Sequence, residues 1–96
     1  MKPSDALSQY RGDIRSLTQR FRLENPRVFG SVLKGTDTEA SDLDLLVDAP
    51  SGTTLFDLCG LQVDLEERLG VRVEVLTPQD LPARFRDKVV REAAAI

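Results

Sequence analysis

Two carboxylates, Asp42 and Asp44, stand two residues apart in the stretch Ser41-Asp42-Leu43-Asp44-Leu45-Leu46-Val47. On a strand, residues i and i+2 project to the same face, with their Cα atoms roughly 6.5–7 Å apart. Two acids so placed can converge on a pair of divalent cations, which sit about 3.5–4 Å apart in two-metal sites. Leu43 and Leu45 point the other way and anchor the strand in the core. An acid pair on a half-buried strand repels itself and loses solvation unless a cation compensates. The spacing therefore predicts a cation site.

Upstream, Phe29 leads into Gly30-Ser31, with residues 32–41 separating that pair from Asp42. Glycine lets a backbone approach a phosphate closely, and the residues after it present N–H groups at the start of a helical turn. The Ser31 hydroxyl can bond a phosphate oxygen, and Lys34 can add a positive charge to the same group. Glu74 lies on a later strand, opposite Val73 and Val75, just as Asp42 and Asp44 lie opposite Leu43 and Leu45. If the two strands are neighbours in register, all three acids share a face. Each feature alone has a plainer reading. Gly-Ser is commonly a turn, and Lys34 and Glu74 are ordinary surface residues. Asp-x-Asp also occurs by chance, in calcium loops and in sugar-nucleotide transferases. The combination is what points to phosphoryl chemistry.

What is missing narrows the chemistry further. The chain has no histidine and one cysteine, Cys59, which excludes Ser-His-Asp triads, histidine zinc sites and internal disulfides. Metal chemistry here must use hard oxygen ligands, which favours magnesium, manganese or calcium. Ninety-six residues, 41% hydrophobic and 30% charged, are read as one domain spanning 1–96. No apolar run reaches the roughly 18–20 residues that span a bilayer, and the first residues lack a signal-peptide core, so a cytoplasmic protein without membrane contact is expected. A net charge of −3 argues against direct nucleic-acid binding. The arginines at both ends of the chain read as solvated helix faces.

The elements that must position these residues follow from periodicity. Leu7, Tyr10, Ile14, Leu17 and Phe21 form one apolar stripe, predicting a helix from about Ser4 to Glu24 that Ser4 caps and Asn25-Pro26 stops. Arg27–Phe29 is a short strand, Val32–Lys34 a helical turn closed by Gly35, and 36–41 a polar loop. A strand at Leu43–Asp48 leads through a turn to a helix capped by Thr53 or Thr54, with Leu55, Leu58, Leu61, Leu65 and Leu69 mostly inward and Gly70 at its end. A third strand covers Val71–Leu76, and a last helix, entered through Thr77-Pro78, runs to the C-terminus. The expected class is α/β (α+β): a small mixed sheet with helices packed on one face. Leu46 and Leu76 are expected on its less covered face.

At this point the sequence resembles a known family. An apolar residue, Gly-Ser, a spacer and Asp-apolar-Asp-apolar form the signature of the polymerase-β-like nucleotidyltransferases, and Phe29-Gly30-Ser31…Asp42-Leu43-Asp44-Leu45 matches it throughout. The wording around Asp42 and the segment Val73-Glu74-Val75-Leu76-Thr77-Pro78 look like the minimal nucleotidyltransferase (MNT) subgroup, over nearly the whole chain. The resemblance implies the corresponding fold, ATP or another nucleoside triphosphate against Gly30, Ser31 and Lys34, and two Mg²⁺ ions on Asp42, Asp44 and Glu74. Glu74 stands where the family more often has Asp, and Lys34 where Arg is common. The subgroup further implies an antitoxin role beside a HEPN-type toxin, with transfer of AMP to a partner tyrosine and possible homo- or hetero-oligomers. The alternative is a non-catalytic antitoxin that masks its partner by contact alone.

Overall fold

The computed structural model describes residues 1–96. Alternating leucine and valine build a four-stranded sheet from Glu24–Phe29 (β1), Leu43–Asp48 (β2), Val73–Leu76 (β3) and Ala94–Ala95 (β4), in the order β3-β2-β1-β4. β1 runs antiparallel to both β2 and β4, while β2 and β3 are parallel. A parallel pair needs a crossover, and helix Leu55–Leu69 (α4) supplies it. Val28, Leu43, Leu45, Val47, Val73 and Val75 face one side, where they meet Leu61, Leu65 and Leu69 of α4 in a single buried cluster. This is the mixed α/β architecture expected, with the strand bearing the acids at its centre.

Two shorter helices, Pro3–Gln9 (α1) and Arg11–Arg20 (α2), complete that layer through Ala6, Leu7 and Ile14. They replace the single helix that the periodicity predicts. Tyr10 leaves the helical region at φ −114°, ψ 23°, yet its N–H still bonds Ala6 O and its carbonyl accepts from Ile14 N. The apolar stripe continues across this kink, so the break is invisible in the pattern. The N-terminus is set by Lys2 and Pro3 rather than by Ser4, whose N–H instead donates to Asp37 Oδ2 at 2.9 Å. At the other end, Arg22 and Asn25 both adopt positive φ, and Asn25-Pro26 lies within β1 beside a bulge.

Helix α4 is entered through reciprocal bonds. Thr54 Oγ1 accepts from Asp57 N, and Asp57 Oδ2 accepts from Thr54 N at 3.0 Å. Gly70 closes the helix at φ 71°. Leu55, expected inward, is 73% exposed, because it sits at the first helical position, ahead of the turns that meet the sheet.

The last helix also ends early. Ala83–Glu92 (α5) stops at Ala93, which turns to φ −59°, ψ 139°, and Ala94–Ala95 pair with Val28 and Arg27 as β4. Alanine favours helix, but here an open strand edge takes the segment, and Ile96 N donates to Pro26 O at 3.0 Å. Thr77 and Asp80 cap a separate 3₁₀ turn, Pro78–Asp80, that lies against β2. As a result Leu46 is fully buried, not an exposed apolar residue as its place in the pattern predicts, while Leu76 is half-buried.

Candidate functional site

The sheet face opposite the core carries Phe29 and Arg27 from β1, Asp44, Leu46 and Asp48 from β2, and Glu74 and Leu76 from β3. Asp44 is flanked in register by Phe29 on one side and Glu74 on the other. Asp42 sits two residues earlier, where Leu43 N donates to Arg72 O at 2.8 Å and extends the β2–β3 pairing. The three acids anticipated from the spacing therefore meet at one end of two adjacent strands.

Gly30 closes the site from the side of β1. It opens a short helix, Gly30–Lys34 (α3), at φ +71°. A Cβ built there would collide with the Asp44 carboxylate, and Asp44 Cγ would lie only 3.1 Å from it. Glycine leaves room for the acid where it stands and lets the chain present the following N–H groups closely. Ser31 follows on the first turn, half-buried, and Gly35 ends α3 at φ +73°. Lys34 is exposed and lines a cleft of about 270 Å³ between α3 and α5 with Phe29, Gly30, Phe85 and Lys88.

Electrostatics single out Asp44. Burial, the Glu74 charge, the Asp42 charge and a hydrogen bond with Glu74 together raise the Asp44 carboxyl from an ordinary 3.8 to about 6. Asp42 Oδ1 lies 3.0 Å from Arg72 Nε, but the pair is not aligned as a hydrogen bond. That oxygen is shut off from water and has no hydrogen-bond partner. No three acids stand ready-spaced as a metal cage, since Asp42 is drawn toward Arg72 and Glu74 is exposed. The donors are nevertheless what a hard divalent cation takes: an orphaned buried carboxylate oxygen, a half-buried acid whose charge has no partner cation, and a third carboxylate in register.

A hollow of about 830 Å³ between α2 and the 50–53 turn lies at the opposite end of β1 and contains none of these residues. Its lining, with Arg15, Arg22, Glu24 and Asp57, brings no like charges together on a strand. The chemistry concentrates on the acid face instead.

Sequence reasoning missed Arg72 as part of this site. The signal was present, for Arg72 precedes Glu74 by two residues and so shares its face. It also missed that Asp48, on the same face as Asp42 and Asp44, is claimed by Arg27. Arg27 Nη2 donates to Asp48 Oδ1 at 2.6 Å, and Asn25 Nδ2 donates to Asp48 Oδ2 at 3.1 Å.

A family model for the nucleotidyltransferase domain matches residues 8–96. The chain is 38% identical over 69 residues to a candidate protein adenylyltransferase of Methanocaldococcus jannaschii, covering 72% of this chain and 74% of that one. It is 33% identical over 82 residues to the protein adenylyltransferase MntA of Thermococcus cleftensis, covering 85% and 83%. Among solved structures, a candidate minimal nucleotidyltransferase superposes with a TM-score of 0.86 at 42% identity, over 97% of this chain and 95% of that one. A toxin–antitoxin structure with AMP-PNP gives a TM-score of 0.74 at 22% identity, covering 88% of this chain and 69% of that one, and shares the fold. No helix is long and apolar enough to cross a membrane. Acid face, glycine cradle, sequence and fold thus agree, and the chain belongs to the nucleotidyltransferase domain family, as an enzyme of its minimal form.

Proposed function

We propose that this chain transfers AMP from ATP to a hydroxyl of a partner protein, a tyrosine of a HEPN-type toxin, and acts as its antitoxin. The observation that carries the reading is Gly30 packed against Asp44, with Asp42 and Glu74 beside it on the same sheet face. The names of the adenylyltransferase relatives support AMP and a protein acceptor, and the toxin–antitoxin neighbour with AMP-PNP supports a nucleotide and a toxin partner.

In this reading Asp42, Asp44 and Glu74 would hold two Mg²⁺ ions, which when bound would supply positive charge to the triphosphate and to the acceptor hydroxyl. Gly30 and Ser31 hold phosphate oxygens through backbone N–H groups and the Ser31 hydroxyl, and Lys34 adds charge from the end of α3. The acceptor oxygen bonds to the α-phosphorus, the bond to pyrophosphate breaks, and the hydroxyl proton passes to Glu74, the most exposed of the three acids. Catalysis is placement plus charge stabilisation, as is usual for phosphoryl-type transfers.

The test is incubation of the chain with labelled ATP, Mg²⁺ and the candidate toxin. Label should pass to the toxin and disappear with Asp42→Asn/Asp44→Asn. Transfer that persists in that double variant would remove the roles assigned to the acids. A second reading, masking by contact alone, draws on Leu55, Phe56 and Val63, which stand exposed along α4. It gains if the same double variant still neutralises the toxin fully.

A further inference from the structure

We infer that Arg72 is a tethered counter-cation, a positioning residue that occupies Asp42 before a divalent cation arrives and competes with that cation for it. The inference rests on the cation-binding reading of Asp42, Asp44 and Glu74 given above.

Four observations carry it. Arg72 leads into β3 two residues before Glu74, and its carbonyl accepts from Leu43 N at 2.8 Å, so its backbone is fixed against the start of β2. Its guanidinium bridges two groups, with Nε 3.0 Å from Asp42 Oδ1 and Nη2 donating to Ala40 O. The Asp42 oxygen it faces is the buried one that lacks any hydrogen-bond partner. Lastly, the Arg72 side chain is 70% exposed, so it can swing into solvent without leaving a buried charge behind.

The charges explain why such a device is needed. Asp42, Asp44 and Glu74 place three carboxylates at one end of two strands, with Asp44 and Glu74 directly in register, so their like charges repel. Arg72 is the one cation paired with any of them. It offsets their repulsion while the site is empty. A dication approaching the same Asp42 oxygen meets a like charge in its place, so binding requires the guanidinium to withdraw. Arg72 therefore weakens cation binding and steadies the empty protein at the same time.

This makes an unusual demand on one variant, because removing a positive charge must tighten metal binding while loosening the metal-free fold. The test uses the full chain and Mn²⁺ alone, followed by calorimetric titration, together with thermal unfolding in chelator and in saturating Mn²⁺. Arg72→Gln should bind Mn²⁺ roughly tenfold more tightly at low ionic strength, with the gain shrinking as salt rises. Its melting temperature should fall in chelator and recover in Mn²⁺. Arg72→Lys, which keeps the charge, should restore near-native affinity. Binding that is weaker than or equal to that of the unaltered chain overturns the inference, as does a melting deficit that persists in Mn²⁺, the mark of a purely structural residue. Asp44→Asn separates the two levels of argument. If it binds Mn²⁺ as well as the unaltered chain does, the cation site itself is misassigned and the role of Arg72 falls with it.

Discussion

Strand β2 carries acids at both ends of one face, and the protein treats them differently. At the far end Asp48 is fixed by Arg27, whose side chain is only 10% exposed, and by Asn25. Arg27 is itself held by the Asn25 carbonyl at 3.1 Å. At the near end Asp42 has a solvent-swept arginine, and Asp44 has no cation at all, only Glu74 beside it. Two acids of the same type on the same strand face thus differ in whether their charge is answered from within the chain. A charge answered internally belongs to the fold, and one left unanswered is available to a ligand.

That contrast is broken most directly by neutralising each acid in turn. Asp44→Asn should lower AMP transfer by about three orders of magnitude, the scale on which groups that stabilise transition-state charge are felt. Asp48→Asn should change it only a few-fold, as read by label incorporation into the partner. Equal losses would erase the distinction. Stability should rank the ends the other way. Asp48→Ala leaves Arg27 buried beside an empty place, and removing one partner of a buried pair costs several kcal/mol. With Asp48 itself half exposed, about 2–3 kcal/mol is expected in denaturant unfolding. Asp42→Ala, whose arginine stays in water, should cost less than about 1 kcal/mol.

The same contrast explains what could be read from the sequence. The near end was legible because period-two alternation places Asp42 and Asp44 on one face whatever the strand pairs with, and Glu74 joined them through a parallel neighbour in matching register. The Asp48–Arg27 pair was not, since it depends on a bulge and on Asn25 at positive φ. The kink at Tyr10 hides inside a continuous apolar stripe. Strand β4 hides behind alanines whose local preference is helical and whose pairing edge lies more than sixty residues away. Leu46 was misplaced because alternation gives the face a side chain points to, not what covers that face. The covering turn Pro78–Asp80 arrives from beyond β3. Local pattern placed the acids on one face, and long-range closure escaped it.

Two glycines sharpen the comparison at smaller scale. Gly30 and Gly35 bound the same short helix with φ of +71° and +73°, so alanine is strained equally at both, by about 1–2 kcal/mol. Space around them differs. Nothing lies within 4 Å of a Cβ at Gly35, whereas at Gly30 it strikes the Asp44 carboxylate. Both variants should lose similar stability, because the short Asp44 side chain can turn aside. Only Gly30→Ala should also lose transfer, because the displaced carboxylate no longer faces Glu74. A Gly35→Ala variant equally dead would mean that α3, not the acid, sets the activity.

The smallest effect has an unusual sign. Asp44 ionises near 6 in the folded chain and near 3.8 when unfolded, so the protonated form is preferred by the fold. Below about pH 4 both states hold the proton and Asp44 has no ionisation cost. As pH rises through 6 the folded chain must give the proton up against burial and the neighbouring acids, and stability is lost. The full gap corresponds to about 3 kcal/mol, which solvent screening at a half-exposed carboxyl reduces to about 1 kcal/mol. Asp44→Asn should therefore stabilise the chelator-treated chain by about 1 kcal/mol at pH 8, a rise of roughly 4–8 °C in melting temperature for a domain of this size. At pH 4 it should do almost nothing. Asp48→Asn should give no such gain at pH 8, since its carboxylate is paired. A substitution that strengthens the fold while abolishing transfer would place the cost of the site on Asp44, and a destabilising Asp44→Asn at pH 8 would show that the unanswered charge is no burden to the fold.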